Sequence, residues 1–123
     1  MEDIKIIVCD DNQDNMDILK ILLELEGYSV ITVNDSTQIM QRIKEDCPNI
    51  LIVDLWMPKL CGDKIIKIVR SDANLNQLPI IVLSASHNGE YVALKAGADY
   101  YINKPFDIDI LIDIIKEISN KLL

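Results

Sequence analysis

Short apolar runs and amphipathic stretches alternate along the chain. Four segments dense in β-branched and other apolar residues, 4–9, 28–33, 50–53 and 79–83, are each followed by a turn signal and predict strands, with a shorter fifth at 100–102. Between them the apolar positions fall to helical spacing: 15–25 (Met16, Leu19, Leu22, Leu23), 37–45 (Ile39, Met40, Ile43), 63–69, 90–96 and 107–122. Gly27 and Gly97 stand where helices are capped at their C-termini. The first, third and fourth strands are near-continuous apolar runs, as strands covered on both faces are. The expected fold class is therefore α/β, a doubly wound five-stranded parallel sheet with five helices. No repeat or linker interrupts it, so residues 1–123 read as one domain without a second.

Composition narrows the function. The chain sets 12 Lys+Arg against 20 Asp+Glu, a net charge of -8. Only Arg42 and Arg70 offer guanidinium groups, which argues against nucleic-acid binding. Basic protein surfaces or cations held by carboxylates suit this charge better. Cys9, Cys47 and Cys61 form neither a disulfide framework nor a zinc spacing, and fit a reducing compartment. Cys9 reads as a core residue, and Cys47 and Cys61 as inert loop residues. The N-terminus carries Glu2 and Asp3 rather than a basic leader, and no apolar run reaches membrane-spanning length. A cytoplasmic protein without a membrane partner is expected.

A sheet of this kind places its ligands at the carboxyl ends of the strands. Those ends carry Asp10-Asp11, Asp54, Ser84 and Lys104-Pro105. Any one of these residues has an ordinary explanation: an Asp after a strand commonly caps a helix, and a Lys before Pro commonly sits in a turn. Their coincidence, one group per strand end, does not. Three carboxylates in one crevice repel unless a hard cation lies among them, and Mg²⁺ is the natural candidate. With Lys104 as a mobile positive charge and Ser84 as a hydroxyl donor, the set suits a carboxylate that accepts a phosphoryl group.

At these residues the sequence resembles a response-regulator receiver domain over nearly its whole length. The matching pieces are Ile7-Val8-Cys9-Asp10-Asp11-Asn12, Asp54-Leu55-Trp56-Met57-Pro58 with Gly62, Leu83-Ser84-Ala85, Ala96-Gly97-Ala98-Asp99-Tyr100 and Lys104-Pro105-Phe106. The resemblance implies a flavodoxin-like receiver fold. It implies Asp54 as the phosphoacceptor, supplied by a sensor histidine kinase or a histidine phosphotransfer protein. Asp11, Asp54 and the backbone carbonyl of Trp56 would ligate Mg²⁺, with Asp10 acting mainly through water. Lys104 would contact the phosphoryl oxygens, followed by a cis bond to Pro105. Ser84 would be the switch hydroxyl and Tyr101 the aromatic that turns inward as Ser84 moves. The signal would leave through the surface of helix four, strand five and helix five to a downstream protein.

Several positions depart from the commoner pattern. Ser84 stands where Thr is more usual, and Trp56 is bulky for its place; with Ser86 opposite, its indole could shield Asp54 from water, or simply lie on the surface. On the fifth helix Ile108, Leu111, Ile112, Ile115 and Ile118 form the core stripe. Ile110 and Ile114 fall on a flank beside Tyr100 and Lys95, a candidate docking patch for a partner or a phosphorylation-dependent homodimer, or else a pair covered by neighbouring side chains. His87 is read as a solvated loop residue. The four glycines are too scattered for a phosphate-binding loop, and Asp10-Asp11 lack the DxD spacing of an aspartyl phosphohydrolase. The expectation is a stand-alone signalling switch that catalyses only its own phosphorylation and dephosphorylation. The alternatives are a receiver-like binding module, or a receiver excised from a hybrid kinase or longer regulator.

Overall fold

The computed structural model describes residues 4–85 and 88–122. Its five strands, β1 (Lys5–Cys9), β2 (Ser29–Val33), β3 (Ile50–Asp54), β4 (Ile80–Ser84) and β5 (Tyr100–Asn103), form one parallel sheet in the order β2-β1-β3-β4-β5. The helices are α1 (Gln13–Leu25), α2 (Ile39–Asp46), α3 (Gly62–Ser71), α4 (Gly89–Ala96) and α5 (Ile108–Leu122), and a 3-10 turn, Ser36–Gln38, precedes α2.

Because side chains alternate across a strand, the apolar runs split into two cores. Ile7, Cys9, Leu51, Val53, Ile80 and Val82 meet Ile39 and Ile43 of α2, Ile65, Ile66 and Val69 of α3, and Ala93 of α4. On the other face Ile6, Val8, Ile50, Ile52, Ile81 and Leu83 meet Met16, Leu19 and Leu23 of α1 and Leu111, Ile115 and Ile118 of α5. This double burial explains why the central strands lack a polar face.

The helix termini follow local chemistry. α1 begins two residues before the apolar spacing indicates, because Asn12 caps it by accepting the Asn15 N–H at 3.0 Å. Asp10 and Asp11 are thus released from the capping role. Gly97 caps α4 with φ +120°, and Gly27 takes φ +95° just past the end of α1. Cys47, expected as a plain loop residue, is the left-handed C-cap of α2 at φ 49°. Arg70, at the end of α3, ties two connections together, the one from α3 to β4 and the one from α4 to β5. Its guanidinium donates to the carbonyls of Gly97 at 2.8 Å and Leu78 at 2.7 Å, and pairs with Asp99 at 2.9 Å.

The chain runs from β1 to β2 on one side and returns to β3 on the other. The order therefore reverses between β1 and β3, and the crevice of a doubly wound sheet opens at their carboxyl ends.

Candidate functional site

Asp10 leaves β1 and Asp54 ends β3 at that crevice, and the structure brings Asp10, Asp11 and Asp54 together. Each offers a carboxylate oxygen, and these lie within 4.8 Å of one another. Asp10 is buried. Its Oδ1 accepts the Asn12 N–H at 3.0 Å and its Oδ2 the Lys104 Nζ at 3.2 Å. Lys104 reaches in from the end of β5 and also stands 3.7 Å from Asp54 Oδ2. The other oxygen of Asp54 accepts the Trp56 N–H at 3.4 Å. Asp11 is exposed at the mouth of the crevice.

One ammonium faces three carboxylates, so the cluster is under-neutralised. Burial pushes the Asp54 carboxyl above its ordinary range; Lys104 opposes the rise, and the charges of Asp10 and Asp11 add to it. Asp11 moves the same way, through desolvation and its contact with Asp10. Beneath them the buried Cys9 thiol is pushed up to about 12 by burial and by the surrounding carboxylates. An all-oxygen set with surplus negative charge fits a small hard divalent cation, and Mg²⁺ matches it in ligand type and charge.

The segment after Asp54 is folded tightly. Gly62 donates its N–H to the Leu55 carbonyl at 2.8 Å, and a Cβ at Gly62 would run into the Asp54 carbonyl oxygen. Only glycine lets α3 start this close to the phosphoacceptor candidate. Trp56 is 50% exposed on the outside of this loop, and Ser86, the other half of the proposed shield, lies outside the described residues, as does His87.

Ser84 is fully buried at the end of β4, and its carbonyl accepts the Lys104 N–H at 2.9 Å, which fixes the lysine's root. Tyr101 is half-buried on β5. Its hydroxyl lies 2.9 Å from Asn103 Oδ1 and 3.3 Å from the Ser84 carbonyl, and its ring packs so closely on Gly89 that a Cβ there would collide with it. Ser84, Tyr101 and the first turn of α4 are thus in mechanical contact. The Lys104–Pro105 bond is cis.

The outer flank is narrower than the apolar pattern suggests. Ile110 is 52% exposed, whereas Ile114 is half-buried against the core shared by α1 and α5. Lys95 turns onto its own helix, 3.0 Å from the Tyr91 hydroxyl and 5.3 Å from the ring centroid, and Tyr100 lies 3.2 Å from Glu117. The sequence reading missed a second apolar face, on α1: Ile18, Ile21 and Leu25 are 58, 60 and 79% exposed. The signal was present, since seven of the thirteen residues of α1 are apolar, more than one buried stripe accommodates.

Comparison with known proteins bears on the family and the fold. Residues 6–116 match the family model for the response regulator receiver domain. The chain is 35% identical over 119 residues to the response regulator MprA of Mycobacterium leprae (strain TN), covering 95% of this chain and 51% of that protein. It is 36% identical over 105 residues to the transcriptional regulatory protein CpxR of Escherichia coli (strain K12), covering 84% and 44%. The chain spans about half the length of the curated relatives it matches. Among solved structures, the receiver domain of the Francisella response regulator 1452 superposes with a TM-score of 0.89 at 30% identity, covering 98% of this chain and 100% of that one. The chemotaxis protein CheY4 of Vibrio cholerae shares the fold at a TM-score of 0.86 and 23% identity, covering 95% and 99%.

Proposed function

We propose that this chain, which belongs to the response regulator receiver domain family, accepts a phosphoryl group on Asp54 and passes the change on through protein contacts. The observation that carries the reading is the placement of Lys104 Nζ, 3.2 Å from Asp10 and 3.7 Å from Asp54, inside a cluster of three carboxylates. A carboxylate oxygen of Asp54 attacks the phosphorus of a phosphohistidine; the P–N bond breaks, and its electron pair stays with the donor imidazole. The donor is a sensor histidine kinase or a histidine phosphotransfer protein. Asp10, Asp11, Asp54 and the Trp56 carbonyl would hold Mg²⁺, which supplies charge neutralisation for the transferred oxygens. Lys104 does the same from the other side, and its approach is fixed by the backbone bond to Ser84.

The new charge offers Ser84 and Lys104 contacts that favour an arrangement already present as a minor state. Tyr101, lodged against Gly89, carries that change to α4 and to the α4-β5-α5 surface. No helix among the described residues is long and apolar enough to cross a membrane, and a cytoplasmic site of action suits a chain with three free cysteines.

Intact-mass analysis after incubation with Mg²⁺ and a small acyl phosphate tests the reading. One phosphoryl adduct is expected in the wild type, lost without Mg²⁺ and lost in Asp54→Ala. An adduct that survives in Asp54→Ala would place the chemistry elsewhere. A wild type that stays unmodified by acyl phosphate and by phosphohistidine donors alike would favour a binding module.

A further inference from the structure

We infer that Ser36 is a positioning residue for the divalent-cation site, acting through the loop that links β3 to α3; the inference rests on the reading just given. Ser36 opens the 3-10 turn between β2 and α2 and is 4% exposed. Its Oγ accepts the Leu60 N–H at 2.9 Å, across 24 residues of chain. Asp35, next to it, pairs with Lys59 at 3.5 Å. Two adjacent residues of one connection therefore hold two adjacent residues of another.

The loop so held begins at Leu55 and carries Trp56, whose carbonyl is the proposed backbone ligand. Internal bonds give the loop its shape: Trp56 N–H to Asp54 Oδ1 at 3.4 Å, and Gly62 N–H to the Leu55 carbonyl at 2.8 Å. These bonds join the loop to itself and to β3, and leave its tilt over the neighbouring strand to contacts from outside. Met57 supplies one, buried with its sulfur 3.8 Å from Cys9 Sγ, a soft and weakly directional contact. The Lys59–Asp35 pair is solvent-exposed on the lysine side and holds weakly. The Ser36 bond is directional and shielded, and it sets the height of the far limb.

A side-chain ligand can change rotamer to follow a cation, but a carbonyl is placed only as well as its peptide plane. Without the Ser36 hydroxyl, the Leu60 N–H loses its partner in a partly buried place, an unfavourable state that the loop relieves by moving outward to water. That motion shifts the Trp56 peptide away from Asp11 and Asp54.

The test measures Mg²⁺ affinity by calorimetry and amide hydrogen exchange at Leu60, comparing wild type with Ser36→Ala. Ser119→Ala is the control, since it also removes a buried hydroxyl, one that donates to the Ile115 carbonyl on α5. Ser36→Ala is expected to bind Mg²⁺ about tenfold more weakly, in the range seen when groups supporting a metal ligand are removed. Its Leu60 amide should exchange faster while the amides of α1 and α5 keep their protection. Ser119→Ala should leave the affinity within about twofold, a difference that general destabilisation does not produce in folded protein. Ser36→Cys, close in shape but a poorer acceptor, carries the same test if the alanine variant does not fold, with a smaller loss of about threefold expected. Affinity within twofold of wild type in the folded Ser36 variant overturns the inference. A wild type that binds no Mg²⁺ overturns both this inference and the functional reading, so the two failures are distinguishable.

Discussion

Asp54 is held where its own ionisation works against the fold. It sits at the end of a strand whose other residues are fully buried, next to two more carboxylates, and its carboxyl is raised chiefly by burial. A raised carboxyl leaves native stability untouched while the group is protonated in both folded and unfolded chains, below its ordinary pKa near 3.8. As pH rises through the native value, the folded chain must carry a charge that the unfolded chain carries more easily, and stability falls. Asp54→Asn removes that cost. In chelator, urea denaturation should show the variant with a higher midpoint than wild type at pH 7, because burial and the neighbouring carboxylates disfavour the charged form of Asp54. The gap should close toward pH 3.5. Equal midpoints at pH 7 would mean that Lys104 already compensates the cluster. Ser84 and Tyr101 contribute differently, since their backbone and ring contacts fix the lysine and α4 respectively, and neither adds charge.

At the scale of elements, the apolar faces decide what is built inward and what is left for partners. α1 buries Met16, Leu19 and Leu23 and presents Ile18, Ile21 and Leu25 outward. The outward stripe descends from the cap at Asn12, two residues from Asp10, so a protein seated on it lies next to the crevice that holds Asp10 and Asp54. Asp14, Asp17 and Glu24 lie on the same helix and favour a partner with basic groups around an apolar strip. Ile21→Glu is expected to slow transfer from a protein phosphodonor by about tenfold or more, as loss of a central interface side chain does. It should leave acyl-phosphate labelling and folding stability nearly unchanged, because the side chain is exposed. Equal losses with both donors would show damage to the site rather than to docking.

The same scale shows what the sequence made legible. Continuous apolar runs announced β1, β3 and β4, and the strand-end Asp, Ser and Lys residues were readable because topology alone sends them to one rim. The early start of α1 depended on which of three polar residues would cap it. The surplus apolar residues of α1 did not reveal their side of the helix, since Ile18 and Leu19 are adjacent in sequence and opposite in burial. The Ser36 bond to Leu60 and the Arg70 clamp join residues 24 to 29 positions apart, or bond to backbone carbonyls, and leave no periodic trace. Ile114 read as a flank residue because its neighbour across α5 is set by the helix's rotation against α1, which spacing does not encode.

For the whole molecule, two electrostatic loads coexist: a diffuse net charge of -8 and a local knot of three carboxylates. They respond differently to ions. Diffuse repulsion is screened by any salt over about 10 Å at 0.1 M, so sodium chloride should raise the melting temperature modestly. The knot responds to a cation that enters it. At a free Mg²⁺ concentration ten times its dissociation constant, linkage contributes about 1.4 kcal/mol, or about 5 °C in a domain of this size. The comparison is therefore made at equal ionic strength, with Mg²⁺ replaced by Na⁺, and the excess rise belongs to the site. Asp11→Asn should abolish most of that excess while keeping the sodium response, because it leaves seven of the eight surplus charges in place and removes one of the proposed ligands. If the variant and the wild type gain equally from Mg²⁺, the ion is acting on the surface at large and Asp11 is not a ligand.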